Sequence, residues 1–397
     1  MNILFVGKCS TFQTANEILK KTGNNPGFQI IKFIDLLLTG LKSNNINVDA
    51  ISNVNAPIVG KKHEINNGIR YQYISTIKIP IVCQIVYLTM SFYYTLIWGI
   101  KNKKNGILFC DTFSSSSTVS GSVFAAKLLR IPICALVTDM ITTPLTTTLN
   151  TKSLYGRFFF SLRERKQYKS LEQYDLFIFL TKFMTEIYNP KKRPYIIMEG
   201  SVDHTLAQHN KTQRKDNKQI VMYAGAIEAE YGFSELVQAF MTLSSPNIEL
   251  HIYGSGKFVN QLQEYQKLDS RIKYMGMVSN EQVVKAEQQA TLLVNPRLSH
   301  HEFAKYSFPS KTSEYMVSGT PLLTTKLPGI PDEYFEHLYV FEEESVKGFA
   351  KKMEEILSLP LKELQQKGGE AQQFVLENKN NIIQTKKIID FFTQNMI

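Results

Sequence analysis

The sequence predicts an α/β fold in two domains, each built on a parallel sheet. The chain has 397 residues, which exceeds what one hydrophobic core usually serves and suits two domains of about 200 residues. Short apolar runs alternate with helical stretches, and the alternation starts afresh after residue 218. The clearest predicted strands are 3–6, 106–110, 131–138 and 176–180 in the first half, and 220–224, 248–253, 272–274, 292–295 and 322–325 in the second.

The domain boundary is predicted at residue 200. Residues 1–200 form the first domain and 201–375 the second, and the polar, poorly patterned stretch 204–218 marks the connection. The chain ends in helical sequence, of which 376–397 is predicted to form a separate final helix.

Charge is distributed unevenly between the two halves. Residues 1–200 carry 24 Lys and Arg against 11 Asp and Glu, a net charge of +13, whereas the remaining 21 and 24 give −3. A basic first half indicates an anionic partner, either a membrane surface or a substrate that carries phosphate. Nucleic acid is not expected, because the basic residues do not follow any nucleic-acid-binding motif.

Metal, redox and secretion signals are weak. The four cysteines show no CxxC spacing and are expected to be buried thiols. The neighbouring His300, His301 and Glu302 diverge along the chain, so no metal site is predicted. The apolar run Ile3–Val6 is too short for a signal peptide, and no GxGxxG motif follows it.

Two stretches of the first half bear on membrane contact. Ile79–Ile100 is 22 residues long without a charge, which meets the length of a membrane span. Its polar residues and the strands predicted around it favour a buried or membrane-grazing helix instead. Residues 154–174 predict a basic, aromatic helix that suits either an anionic membrane surface or a solvated core helix.

Acidic residues end two predicted strands of the first domain. Asp111 follows the strand 106–110, and Asp139 follows 131–138. Ligands collect at the carboxyl ends of strands in open α/β sheets, so both residues are candidates to contact substrate. Each is equally well placed to cap the next element.

The segment from Tyr306 to Asp332 organises the second domain. It reads YSFPSKTSEYMVSGTPLLTTKLPGIPD. Pro309 suits the start of a helix, which is predicted over Ser310–Val317 and ends before Gly319. The β-branched run 320–325 then predicts a buried strand.

The predicted helix has the residues of a nucleotide site at its amino end. Free N–H groups, the positive end of the helix dipole, Ser310 and the cation of Lys311 together suit a pyrophosphate. Glu314 lies one turn further on, where a carboxylate can accept hydrogen bonds from a ribose diol. The alternative is a plain surface helix in which Lys311 and Glu314 form an ion pair worth ~0.3 kcal/mol.

This segment resembles the donor site of retaining glycosyltransferases of the GT-B fold, family 4 type, from bacterial capsular and exopolysaccharide synthesis. The likeness is carried by FPSKTSEYMVSGTP, by LPGIPDEY after it and by 294–297 before it. It implies two Rossmann-like domains with parallel sheets and an interdomain cleft. In the family, two glutamates eight positions apart bracket the donor. Glu314 matches the second, whereas Tyr306 stands in place of the first and Glu302 is the nearest carboxylate.

The resemblance also implies the other donor contacts. The positions of the family's Arg and Lys clamp are Ala226 and Tyr231 here, so Arg297 and Lys311 are expected to hold the diphosphate. The turn containing Met277 resembles the loop that reads the nucleobase. The remaining donor-binding candidates are Gly225, Gly254, Tyr306 and Ser310.

In the first domain, the resemblance implies an acceptor site. The glycine-containing loop that ends at Gly27 faces the acceptor in the family, and its N–H groups are expected to hold an acceptor phosphate; a mere tight connection is the alternative. Asp139 lies near the position where family members often carry a His beside the acceptor hydroxyl, so Asp139 and Lys311 are the predicted catalytic residues. The final helix is expected to return to the first domain.

The sequence thus predicts a cytoplasmic transferase, with possible contact to the inner membrane face. It would move a hexosyl group from a nucleotide-diphosphate sugar to a lipid-linked or oligosaccharide acceptor in cell-surface polysaccharide synthesis, without a metal or other cofactor. Two alternatives stay open: a catalytically silent GT-B subunit and a GT-B nucleotide-sugar epimerase.

Overall fold

The computed structural model describes residues 1–112, 116–140, 168–208 and 218–395. The chain divides into two compact units. The first contains residues 1–201 and 381–397, and the second contains residues 202–380. Both are α/β units with a parallel sheet, as the sequence predicts.

The first unit contains an eight-stranded sheet in the order β3-β4-β2-β1-β5-β6-β7-β8. Its strand pairs are parallel except β3–β4, which is an antiparallel hairpin. The strands are β1 Asn2–Gly7, β2 Asn47–Ser52, β3 His63–Asn66, β4 Ile69–Tyr73, β5 Gly106–Asp111, β6 Ile133–Val137, β7 Leu176–Phe179 and β8 Tyr195–Ile197. The helices are α1 Phe12–Thr22, α2 Phe28–Ser43, α3 Pro80–Asn102, α4 Ser116–Leu129, α5 Met184–Tyr188 and, at the end of the chain, α13 Asn381–Asn395.

The hydrophobic core of the first unit contains side chains of the last helix, α13, packed against side chains of β5 and β1. Phe109 of β5 lies edge-on to Phe5 of β1 at 5.6 Å and to Phe392 of α13 at 5.8 Å. Gly40 of α2 allows α13 to approach closely, because a Cβ there would lie 2.3 Å from the backbone oxygen of Asn381. The Asn44 amide reinforces this contact by donating to the backbone oxygen of Ile382 at 2.9 Å.

The second unit contains a six-stranded parallel sheet in the order β11-β10-β9-β12-β13-β14. Its strands are β9 Gln219–Ala226, β10 Ile248–Ser255, β11 Ile272–Gly276, β12 Leu292–Asn295, β13 Leu322–Thr324 and β14 Tyr339–Val340. Its helices are α6 Phe233–Met241, α7 Val259–Leu268, α8 Asn280–Gln289, α9 Ser310–Val317, α10 Asp332–Phe335, α11 Val346–Leu357 and α12 Leu361–Asn378. Short 3-10 turns at Ala229–Tyr231 and Glu302–Tyr306 precede α6 and α9.

Helix α3 corresponds to the uncharged stretch of the sequence. It is 23 residues long and, among the described residues, is the one helix with the length and composition of a membrane span; 22% of its apolar window is buried. Both β4 before it and β5 after it belong to one sheet. This connection argues against a membrane span and leaves the buried and the membrane-grazing interpretations open. Most of the second predicted membrane helix, 154–167, lies outside the described residues.

Candidate functional site

The candidate donor residues of the second unit lie around the carboxyl ends of its parallel strands. Strand β9 ends at Ala226, its neighbour β10 at Ser255, and β12 at Asn295. Parallel strands end at the same edge of a sheet, and α9 begins at that edge because it leads from β12 back to β13. The predicted bounds of α9, Ser310 and Val317, are those observed.

A buried tyrosine fixes α9 against β9. The backbone N–H of Ala224 donates to the Tyr315 hydroxyl at 2.7 Å, and the hydroxyl donates back to the Ala224 carbonyl at 2.9 Å. The hydrogen-bonded pairing of β9 with β12 ends at Met222. Beyond that point, the Tyr315 hydroxyl supplies hydrogen-bond partners for the N–H and carbonyl of Ala224. Burial, with Tyr223 and Glu287 nearby, raises the pKa of Tyr315 well above its usual value, which keeps the hydroxyl protonated.

The amino end of α9 has no side-chain cap. Its N-cap is Pro309. The Thr312 N–H is bonded to the Pro309 carbonyl at 2.9 Å, which leaves the two residues before Thr312 to present their N–H groups outward. The N-terminus of an uncapped helix is a favourable position for an anion.

Three side chains near this end bury polar atoms that have no hydrogen-bond partner within the described part of the chain. They are the Thr312 and Ser313 hydroxyls, on the first turn of α9, and the amide nitrogen of Asn295, at the end of β12. Asn295 is only 7% exposed. An unsatisfied buried donor costs about 1–3 kcal/mol, so each of these groups is expected to bond an ordered water or a neighbouring group that shifts slightly.

Lys311 and Glu314 form an ion pair, with Lys311 Nζ 2.9 Å from Glu314 Oε2. Each side chain is 30% exposed, so the pair is more enclosed than a free surface pair. Burial alone would lower the pKa of Lys311, but the charges of Glu314 and the buried Glu287 outweigh it and leave that pKa raised. Lys311 is therefore a cation at neutral pH. The ion pair that the surface-helix interpretation predicts is also present.

Arg297 is held between two aromatic rings. Its guanidinium carbon lies 4.5 Å from the centroid of Tyr231 and 4.8 Å from that of Phe303. Its Nη1 reaches the Ser307 hydroxyl at 3.4 Å, and its buried Nε has no partner in the described chain. Stacking fixes the plane of the guanidinium and leaves its edge for hydrogen bonds.

Tyr231 thus has a role that the sequence did not reveal. The resemblance implies a positively charged residue of the phosphate clamp at this position. Its replacement by Tyr231 suggests that one contact to the diphosphate is missing. In the structure, Tyr231 instead supports the cation of Arg297. Tyr231 is far from Arg297 in the chain, so no local pattern could have predicted their contact.

The two candidate glycines face each other across adjacent strands. Gly225 of β9 is paired with Gly254 of β10, and Gly254 has φ +128. A Cβ at Gly254 would lie 1.9 Å from the Gly225 carbonyl oxygen. Close strand packing therefore accounts for glycine at position 254 without a ligand.

The remaining donor candidates lie on the borders of this edge. Met277 follows the left-handed Gly276 after β11 and is 78% exposed, which leaves its loop open to a ligand. Tyr306 is half-buried at the end of a 3-10 turn, and Ser310 is exposed at the start of α9.

In the first unit, the two aspartates differ in exposure. Asp111, the last residue of β5, is 1% exposed and therefore out of contact with solvent. Asp139 is exposed beyond β6 and accepts from the Met140 N–H at 2.8 Å. Of this pair, only Asp139 is accessible to an acceptor.

The loop before α2 is less open than the sequence indicates. The Asn25 side-chain oxygen accepts from the N–H groups of Gly27 at 2.7 Å and Phe28 at 3.3 Å. These two groups, expected to hold a phosphate, are already bonded. The sequence also did not single out Lys8, whose Nζ lies 2.7 Å from where a Gly27 Cβ would stand and so gives the loop a cation. Its position directly after β1 is the signal that marks it.

No cluster of three or more metal-ligating side chains occurs among the residues that the structure describes.

The His301 ring stacks on Phe303 at 5.3 Å and so supports one of the two aromatic rings that hold Arg297. Burial is the main cause that raises the pKa of the Cys9 thiol to about 12, as expected of an inert core cysteine.

Comparisons with known proteins bear on the family and the fold of the chain. Residues 205–386 match the family model described as Glycosyl transferases group 1. No curated protein matches the chain. Among solved structures, a glycosyltransferase from Rickettsia africae aligns at TM-score 0.66 and 14% identity, covering 99% of this chain and 98% of that one.

Two further solved structures are similar over comparable lengths. Sucrose-phosphate synthase from Thermosynechococcus elongatus aligns at TM-score 0.64 and 14% identity, covering 99% of this chain and 98% of that one. Anabaena HepE, in complex with UDP and glucose, aligns at 0.59 and 11%, covering 99% of both chains. At these identities the likeness shows the fold. The chain has the GT-B fold, and this prediction is confirmed.

Proposed function

We propose that the protein is a retaining glycosyltransferase that moves a hexosyl group from a nucleotide-diphosphate sugar to a lipid-linked glycan in cell-surface polysaccharide synthesis. The observation that carries this proposal is the uncapped amino end of α9, with the cation of Lys311 on its first turn. The match of residues 205–386 to a glycosyltransferase family supports it, because that segment contains all of α9.

A nucleotide-diphosphate sugar fits the chemistry of this edge. HepE is described with UDP and glucose, and the Escherichia coli trehalose-6-phosphate structure with UDP-2-fluoro glucose. The diphosphate lies at the amino end of α9, where the helix dipole and Lys311 oppose its charge. Arg297, stacked between Tyr231 and Phe303, binds a phosphate through its guanidinium group. Glu314 exchanges part of its ion pair for the ribose hydroxyls.

The reaction breaks the bond between the anomeric carbon and the diphosphate oxygen. Negative charge develops on the leaving diphosphate, and fixed cations and helix N–H groups aimed at it stabilise the transition state. The acceptor oxygen attacks from the face that the diphosphate leaves, which retains configuration, and its proton passes to the leaving phosphate oxygen. Lys311 and Arg297 neutralise the diphosphate without a metal, and the exposed Asp139 orients the acceptor hydroxyl.

A catalytically silent subunit is the second candidate. The observation in its favour is that Lys311 is already neutralised by Glu314. Such a subunit binds a nucleotide diphosphate but does not turn over the sugar donor.

Donor turnover by the purified full chain distinguishes the two. UDP-, GDP- and ADP-linked hexoses are incubated with the protein and with short-chain lipid pyrophosphate glycans, and nucleoside diphosphate release is followed together with the anomeric configuration of the product. We expect release from one nucleotide class and a product that retains the donor configuration. Binding without release identifies the silent subunit, and an inverted product contradicts the retaining mechanism.

A further inference from the structure

The outward side of α3 and α4 is apolar. Ile81 is 75% exposed on α3, and Phe124 is 64% exposed on α4. Phe92 stacks on Phe124 at 5.4 Å, which joins the two helices into one surface. This α3–α4 face contains half of the large apolar side chains that the described residues expose, namely Ile79, Ile81, Val82, Ile85, Leu88, Tyr93, Ile97, Ile100, Phe124 and Leu128.

The inner side of the same helix pair is made of small and hydroxyl residues. Ser91, Thr95 and Gly99 recur every fourth residue of α3 and are buried. Thr95 donates to the Ser122 hydroxyl of α4 at 2.9 Å, and a Cβ on Gly121 would lie 2.2 Å from a backbone oxygen of α3. A surface helix usually buries its large apolar residues, whereas this pair turns them outward. Large apolar side chains turned outward are the arrangement expected of a helix face that contacts the surface of a lipid bilayer.

Exposed charge around this face is positive. Between Glu64 and Asp139 the one acidic residue is Asp111, which is buried. The two helices run in the same direction, since Gly121 lies against Leu88 and Gly99 lies against Leu129. Their carboxyl ends therefore share one end of the face, and the exposed cations there are Lys101, Lys103, Lys104, Lys127 and Arg130. Within the described residues, none of these five forms an ion pair.

We propose that the α3–α4 face docks on an anionic lipid bilayer. Its apolar side chains enter the interfacial layer, and the cations at the carboxyl ends contact headgroup phosphates. Because β4 and β5 join one sheet, α3 lies along the membrane surface rather than across it. A second copy of the chain suits this face less well, because it would bring two surfaces of the same charge together. The inference does not rest on the proposed function.

Vesicle sedimentation of the full chain tests this surface. We expect the protein to sediment with vesicles of equimolar phosphatidylcholine and phosphatidylglycerol, and at least about tenfold less with phosphatidylcholine alone. The Ile85→Ser, Leu88→Ser, Phe124→Ser triple variant should lower the partition coefficient about 100-fold, because it removes apolar area that enters the lipid. All three side chains are exposed, so the fold is retained.

A matched control replaces equally exposed apolar residues elsewhere. Ile65→Ser, Leu268→Ser, Leu361→Ser should bind vesicles as the unaltered protein does. Replacing Lys101, Lys103 and Lys104 by Ser should lower binding to the anionic vesicles at least about tenfold. The proposal is overturned if the protein does not sediment with anionic vesicles or if the first triple variant binds normally. It is also overturned if light scattering shows a dimer that this variant dissociates, since the face is then a contact between two copies.

Discussion

Replacement of Arg297 by alanine is expected to lower donor turnover about 100-fold, because the guanidinium stabilises charge that develops on the leaving diphosphate. Its two aromatic neighbours hold the group in one plane. Arg297→Lys keeps the charge but loses both the planar stacked group and its two hydrogen bonds to one phosphate. We therefore expect its turnover to be about tenfold below that of the unaltered protein. Initial rates at saturating donor, measured as nucleoside diphosphate release, give both values.

The control for Arg297 is Arg70→Ala. Arg70 is an exposed arginine whose surface ion pair with Asp49 contributes little. Its replacement should leave both the turnover rate and the free energy of unfolding unchanged. Full activity in Arg297→Ala would show that this residue does not contact the diphosphate.

Replacement of Lys311 by alanine is expected to lower turnover at least about tenfold and to weaken donor binding. The change removes a cation and breaks the 2.9 Å contact with Glu314, so the carboxylate is no longer balanced by Lys311 when the diphosphate binds. The fold should be retained, because Tyr315 anchors α9 independently of Lys311. Single-turnover and steady-state rates separate the loss of chemistry from the loss of binding.

A second lysine gives a matched comparison. Lys267 forms an ion pair with Glu264, three residues away, on the exposed helix α7. Lys267→Ala removes the same kind of pair and should not affect turnover. If the Lys311 and Lys267 variants behave alike, Lys311 is only a partner of Glu314, and the surface-helix interpretation is correct.

The sequence predicted the strands and helices that carry strong local signals. Helix α9 was predicted within its observed bounds because Pro309 and Gly319 mark its two ends, and Gly319 adopts φ +74. The β3–β4 hairpin was missed although Asn67 and Gly68, both with positive φ, form the turn that favours such hairpins. In β4, Ile69 and Tyr71 are buried and Arg70 is exposed, so the alternation was present but short.

The site was predicted less completely than the fold, because its geometry depends on residues that are distant in the chain. Ser310, Lys311 and Glu314 could be placed together because they lie on one side of the same helix, within four residues of each other. The support of Arg297 by Tyr231 and Phe303 depends on tertiary packing. The bond from the Gly27 N–H to the Asn25 side chain is local and was missed for another reason: the sequence did not show that this side chain takes the N–H groups expected to bind a phosphate.

The central claim is that the amino end of α9 binds a diphosphate. Calorimetric titration of the full chain with UDP, GDP and ADP, each beside its free nucleoside, tests it most directly. We expect one nucleoside diphosphate to bind at least about tenfold more tightly than its nucleoside, since the phosphates meet the helix end and two cations. Equal affinity for that pair, or no binding of any of the three diphosphates, would contradict the account.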